Sequence, residues 1–149
     1  MLLAKQISSL HKVRVCDDFN MNEITKETML RGERFSYQIS LKSDAYAIGN
    51  VRIESPLSEY IRIYQVEQSV MDAPVIDKVE EPGYITTEPG LMPDLLVPIK
   101  NNSLFSVNVT GKTLWIEVNL PNDMAAGEYE INFAYETFDF AEPDTTRAV

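Results

Sequence analysis

Polar and apolar positions alternate with a period of two along most of this chain, the signature of extended strands that turn one face to a core. From Glu33 to Lys42, ERFSYQISLK sets Phe35, Tyr37, Ile39 and Leu41 on one face against Arg34, Ser36, Gln38, Ser40 and Lys42 on the other. That is the pattern of a half-buried antiparallel strand. NVRIES repeats it in short form, with Val51 and Ile53 inward and Arg52 and Glu54 outward. Tyr60 to Gln68 is rich in strand formers (Ile61, Ile63, Tyr64, Val66), with less cleanly sorted faces. Phe105, Val107 and Val109 then alternate with polar residues, Thr110-Gly111-Lys112 supplies a turn, and Leu114, Ile116, Val118 and Leu120 alternate with Trp115, Glu117 and Asn119. The expectation there is a β-hairpin. EYEINFAYE follows, with Tyr129, Ile131, Phe133 and Tyr135 on one face. Nearer the N-terminus, Val13 and Val15 suggest a strand within His11 to Cys16. Ile24 to Arg31 reads as another, with a short helix capped by Asn22 as the alternative.

Seven or so short strands without an amphipathic helix of ten residues predict an all-β chain, an immunoglobulin-like two-sheet antiparallel β-sandwich with a long proline-rich loop. The sandwich is expected to occupy residues 1–136 as a single domain. Residues 72–100 interrupt the alternation: they hold Pro74, Pro82, Pro89, Pro93 and Pro98, five of the eight prolines, with Gly83 and Gly90. A regular ladder is not expected across most of that stretch. Its apolar residues (Tyr84, Ile85, Leu91, Met92, Leu95, Leu96, Val97) mark it as an irregular loop that docks on a neighbour. Residues 137–149 lose the alternation and read as a linker or tail.

Composition narrows the chemistry. The 149 residues suit one domain with a core of its own. One His and one Cys exclude an ordinary Cys/His zinc site and any internal disulfide, so no metal or cofactor is expected. A formal charge of −10, from 23 acidic and 13 basic residues, argues against nucleic acid and anionic membrane as partners. MLLAKQISSL has no signal-peptide core, and no apolar run reaches the roughly 18 residues of a membrane span. The chain therefore reads as soluble and cytoplasmic, and the sequons at Asn101 and Asn108 carry little weight.

Candidate catalytic groups are few. The acidic pairs Asp17-Asp18, Glu80-Glu81 and Glu117 with Glu130 are explained by the abundance of acids and read as solvated surface. His11 has no Ser or Cys nucleophile motif near it. Cys16, beside Val15, reads as a small buried hydrophobe. Asp94 and Asn122-Asp123 lack EF-hand spacing and suit turns. Trp115 falls on the face opposite Leu114, Ile116, Val118 and Leu120. An aromatic ring beside polar side chains can stack a sugar; a loop or an adjoining domain covering the ring is the alternative.

Three segments together, Gly32-Glu33-Arg34-Phe35-Ser36-Tyr37-Gln38, the PGLMPDLLVP stretch from Pro89 to Pro98, and LWIEVNLPNDMAAGEYEINF from Leu114 to Phe133, resemble the N-terminal β-sandwich domain of family 123 glycoside hydrolases. That is the N-acetyl-β-galactosaminidase group, with related bacterial proteins. In that family a sandwich precedes a (β/α)8 barrel that holds the catalytic pair, so no catalytic residue carries over to this chain. The resemblance implies a noncatalytic accessory module whose partner is a downstream barrel domain or a hydrolase. The competing expectation is a carbohydrate-binding module. For either role the candidate contacts are Pro89, Gly90, Leu91, Pro93, Asp94 and Trp115.

Overall fold

The computed structural model describes residues 1–72, Thr86 and residues 88–138. Among the described residues eight strands follow one another: β1 (Leu2–Ser8), β2 (Arg34–Ser43), β3 (Ala47–Glu54), β4 (Ile61–Met71), β5 (Gly90–Ile99), β6 (Ser103–Val107), β7 (Lys112–Asn119) and β8 (Asn132–Thr137). They form a five-stranded sheet in the order β1-β2-β7-β4-β5 and a three-stranded sheet in the order β6-β3-β8. Every pairing is antiparallel. A single 3-10 turn, Ser58–Tyr60, is the one helical element among the described residues. No helix there is long and apolar enough to cross a membrane. The fold is an all-β sandwich of two antiparallel sheets.

The alternation defines the core as the sequence predicts. Tyr37, Ile39 and Leu41 of β2, Leu114, Ile116 and Val118 of β7 and Ile63 of β4 face Val51 and Ile53 of β3, Phe105 and Val107 of β6 and Tyr135 of β8. Register aligns these rows: Ile116 lies opposite Tyr37 on one side and Ile63 on the other. Burying each such side chain stabilises the fold by about 1.5 to 3 kcal/mol. Tyr135 joins strands as well as layers. Its hydroxyl reaches the carbonyls of Phe105 (2.7 Å) and Ala47 (3.2 Å), and its ring meets Phe105 edge-on at 6.5 Å.

Several local expectations are corrected. β6 and β7 do not pair as a hairpin: the turn, with Gly111 at φ 80°, carries the chain from one sheet to the other. Alternation records that a strand faces the core, and both strands do so from opposite sides. No strand forms at His11–Cys16 or Ile24–Arg31; residues 9–33 are irregular. Cys16 and Phe19 adopt positive φ (62° and 64°), which ends any extended run from His11, and Cys16 is exposed rather than buried. The first strand is instead β1. The last strand covers Asn132–Thr137, while Tyr129 and Ile131 pack on the core from the preceding loop.

The proline-rich stretch is corrected in its second half. Gly90–Ile99 is a strand, paired with β4 along its length at the edge of the larger sheet. Gln68 pairs with Pro93 and Glu67 with Leu95, so Asp94 is the extra residue of a bulge. With that residue removed from the count, Pro93 and Pro98 fall in the same phase of the ladder. Each can then aim its missing N–H at the open edge, where no bond is lost. Residues 73–85, residue 87 and the tail from residue 139 lie outside the described residues.

The second face of the larger sheet is not simply solvated. Residues 9–21 cross it as a strap, burying Val13 and Met21 against Ile7, with Phe19 alongside. Polar side chains hold the strap by donating to its backbone carbonyls. Lys5 Nζ reaches Phe19 (2.9 Å) and Met21 (3.2 Å), Lys42 Nζ reaches Asp17 (2.6 Å), and Gln68 Nε2 reaches Val13 (3.2 Å). Gln38 and Ser40 are therefore only 3% and 1% exposed.

Candidate functional site

Trp115 sits at the middle of this strapped face, between Gln38 of β2 and Tyr64 of β4 in the ladder. It forms, with Val66 and Gln38, the floor of a groove of about 140 Å³. Pro93, Asp94 and Leu96 of β5 make one wall; Ser9, His11 and Lys12 of the strap make the other. Trp115 is partly buried and lines the groove together with strap residues.

The groove's polar groups are already partly committed. Gln38 Nε2 donates to the carbonyls of Ser8 (3.0 Å) and His11 (2.7 Å), which anchors the strap and leaves Oε1 as the amide's remaining capacity. His11 Nε2 lies 3.8 Å from Asp17 Oδ2. Among the described residues neither Lys12 nor Asp94 has an ion-pair partner within 4.0 Å. Pro93, Asp94 and Trp115 are brought together here. Leu91, opposite Val70, is 43% exposed, Pro89 precedes β5, and Gly90 lies beside the Arg14 guanidinium; none of the three lines the groove.

The acidic pairs show structural uses. Asp17 Oδ1 and Asp18 Oδ1 accept from the N–H groups of Phe19 and Asn20 (3.1 and 3.0 Å), as turn residues do. Glu117 accepts from Asn119 Nδ2 at 2.9 Å and lies 4.0 Å from Arg34 Nε. Glu80-Glu81 lies outside the described residues, among which no three His, Cys, Asp or Glu side chains gather as metal ligands. Burial pushes the hydroxyls of Tyr37 and Tyr135 up to about 12, but both lie in the core, away from the groove.

Two further surface features escape the sequence. A cleft of about 340 Å³ opens where β4 and β5 meet β3, with Ile53, Ile61, Ile63 and Ile99 inside and Arg62 and Lys100 at its border. Beside it β5 overhangs. Leu95 and Val97 share the inward phase of Ile99, through partners Glu67, Gln65 and Ile63, yet are 54% and 45% exposed. Three strands do not cover five, so the last strand of the wide sheet projects past the core.

Neither a family model nor a curated protein sequence matches the chain. Among solved structures, it is similar to a family 123 glycoside hydrolase from Clostridium perfringens, studied for glycolipid glycan hydrolysis, with a TM-score of 0.65 and 16% identity. The match covers 91% of this chain and 24% of that one. The chain therefore shares the fold of a part of that larger glycoside hydrolase, amounting to about a quarter of its length.

Proposed function

We propose that the chain is a noncatalytic accessory β-sandwich of a family 123-like glycoside hydrolase, placed ahead of the catalytic barrel and docked on it, in bacterial cytoplasmic carbohydrate metabolism. The observation that carries the reading is the asymmetry of coverage: nearly all of this chain corresponds to only 24% of the neighbour. The overhang supports it, because Leu95 and Val97 are apolar side chains left half-exposed at a sheet edge. Pro93 and Pro98 block strand addition at that edge. Docking would then proceed through side chains, with the isoleucine-lined cleft beside the overhang taking an apolar anchor from the partner.

The test is calorimetry of this chain alone and of the full product of its reading frame. Docking predicts one cooperative transition in the full product, with the sandwich melting higher than it does alone. Two transitions, the sandwich melting as it does in isolation, would refute docking. Turnover of an aryl N-acetyl-β-galactosaminide by this chain alone would refute the noncatalytic role.

A further inference from the structure

The amide of Gln38, beside Trp115 on the groove floor, keeps one acceptor free. Its Nε2 hydrogens are both donated to strap carbonyls, at 3.0 and 2.7 Å, while no described residue donates to Oε1. The side chain is 3% exposed and lines the groove, so what fills the groove decides whether that acceptor is paired. Asp94 and Lys12 stand on opposite walls, and each is without an ion-pair partner among the described residues. The floor adds the partly exposed side chain of Trp115.

These groups select the ligand by exclusion. An apolar ligand would leave the Gln38 acceptor unpaired. An anion would face Asp94, and a cation would face Lys12. A neutral polyhydroxylated ring satisfies all of them: hydroxyls donate to Gln38 Oε1 and to the Asp94 carboxylate, a ring or hydroxyl oxygen accepts from Lys12 Nζ, and the C–H face lies on the indole. The volume, about 140 Å³, is below the roughly 300 to 1,000 Å³ of drug-sized sites and suits a single ring. We infer that the Trp115 groove binds a single pyranose unit, with Gln38, Asp94 and Lys12 as its polar contacts. This does not depend on the accessory role.

Trp115 is the only tryptophan in the chain, so its fluorescence and its single indole N–H resonance report the groove directly. The probes are D-glucose, D-galactose and their 2-acetamido forms, with glycerol as the acyclic control. The expected result is a saturable change in both signals with at least one sugar, at a midpoint of about 1 to 10 mM. Asp94→Ala, on the exposed bulge, should raise that midpoint about tenfold while the urea unfolding midpoint stays unchanged. No saturable change with any of the four sugars, a change that glycerol reproduces, or a midpoint that Asp94→Ala and Lys12→Ala both leave unaltered would overturn the inference. Because the titration uses this chain alone, failure leaves the docking proposal standing.

Discussion

Removing one oxygen atom from the centre of the sandwich should weaken it in a way that depends on pH. Tyr135 is fully buried, and its hydroxyl is shared between the carbonyls of Phe105 and Ala47, one on each of two neighbouring strands. Tyr135→Phe keeps the ring and its edge-on contact but strips both carbonyls of this donor, at a cost of about 1 to 2 kcal/mol. With a urea slope of about 1 to 3 kcal/mol per M, the midpoint near neutrality should fall by roughly 0.3 to 2 M.

Alkali supplies the second half of the experiment. Desolvation raises the Tyr135 hydroxyl to about 12, against about 10 in an unfolded chain. Between those values the unfolded state has lost a proton that the folded state keeps, so stability falls as pH rises. At pH 11 the loss attributable to Tyr135 is about 1.4 kcal/mol. The Phe variant does not suffer that loss. The gap between wild type and variant, read from Trp115 fluorescence in urea, should therefore narrow or close between pH 8 and pH 11. Equal stability at pH 8, or a gap that stays constant with pH, would refute this account of the buried hydroxyl. Tyr37, also raised to about 12 by burial, should leave a residual alkaline loss in the variant.

Other substitutions test the packing. A Cβ on Gly49 would lie 2.8 Å from the Glu136 carbonyl carbon and 3.0 Å from Thr137 Cα. Gly49→Ala must therefore part β3 from β8 and cost about 2 kcal/mol or more in urea unfolding. Asn101 bonds Ile53 on both sides, accepting from its N–H and donating to its carbonyl, each at 2.8 Å. Asn101→Ala should cost about 1 to 2 kcal/mol, with Asn101→Asp intermediate because it keeps the acceptor. Lys26 and Glu128 approach to 2.6 Å but are 75% and 86% exposed; Lys26→Ala should change stability by no more than about 0.5 kcal/mol.

Much of the architecture is legible in the spacing of apolar residues. β2, β3 and β7 announce themselves through one apolar face each, β4 through its strand formers alone, and Ile63 of β4 joins those faces in the core. Two physical facts limit that reading. A polar residue on a strand looks the same whether it meets water or the backbone of a strap, so Gln38 and Ser40 read as solvated although both are buried. A proline rules out a ladder bond only when its nitrogen faces a neighbour, so the edge strand β5 read as a loop.

The groove shows the same division. Trp115 stands out by type and setting and Pro93 and Asp94 through the resemblance, whereas Gln38, Lys12 and His11 join them only through the strand order β2-β7-β4-β5 and the path of the strap. No short-range signal encodes either.

The docking proposal is tested most directly by amide hydrogen exchange, comparing this chain alone with the full product of its reading frame. The account predicts slower exchange in the full product along Gly90–Ile99 and around the Ile61–Ile99 cleft, with the strap over Trp115 unchanged. Exchange along β5 that is equally fast in both would contradict it.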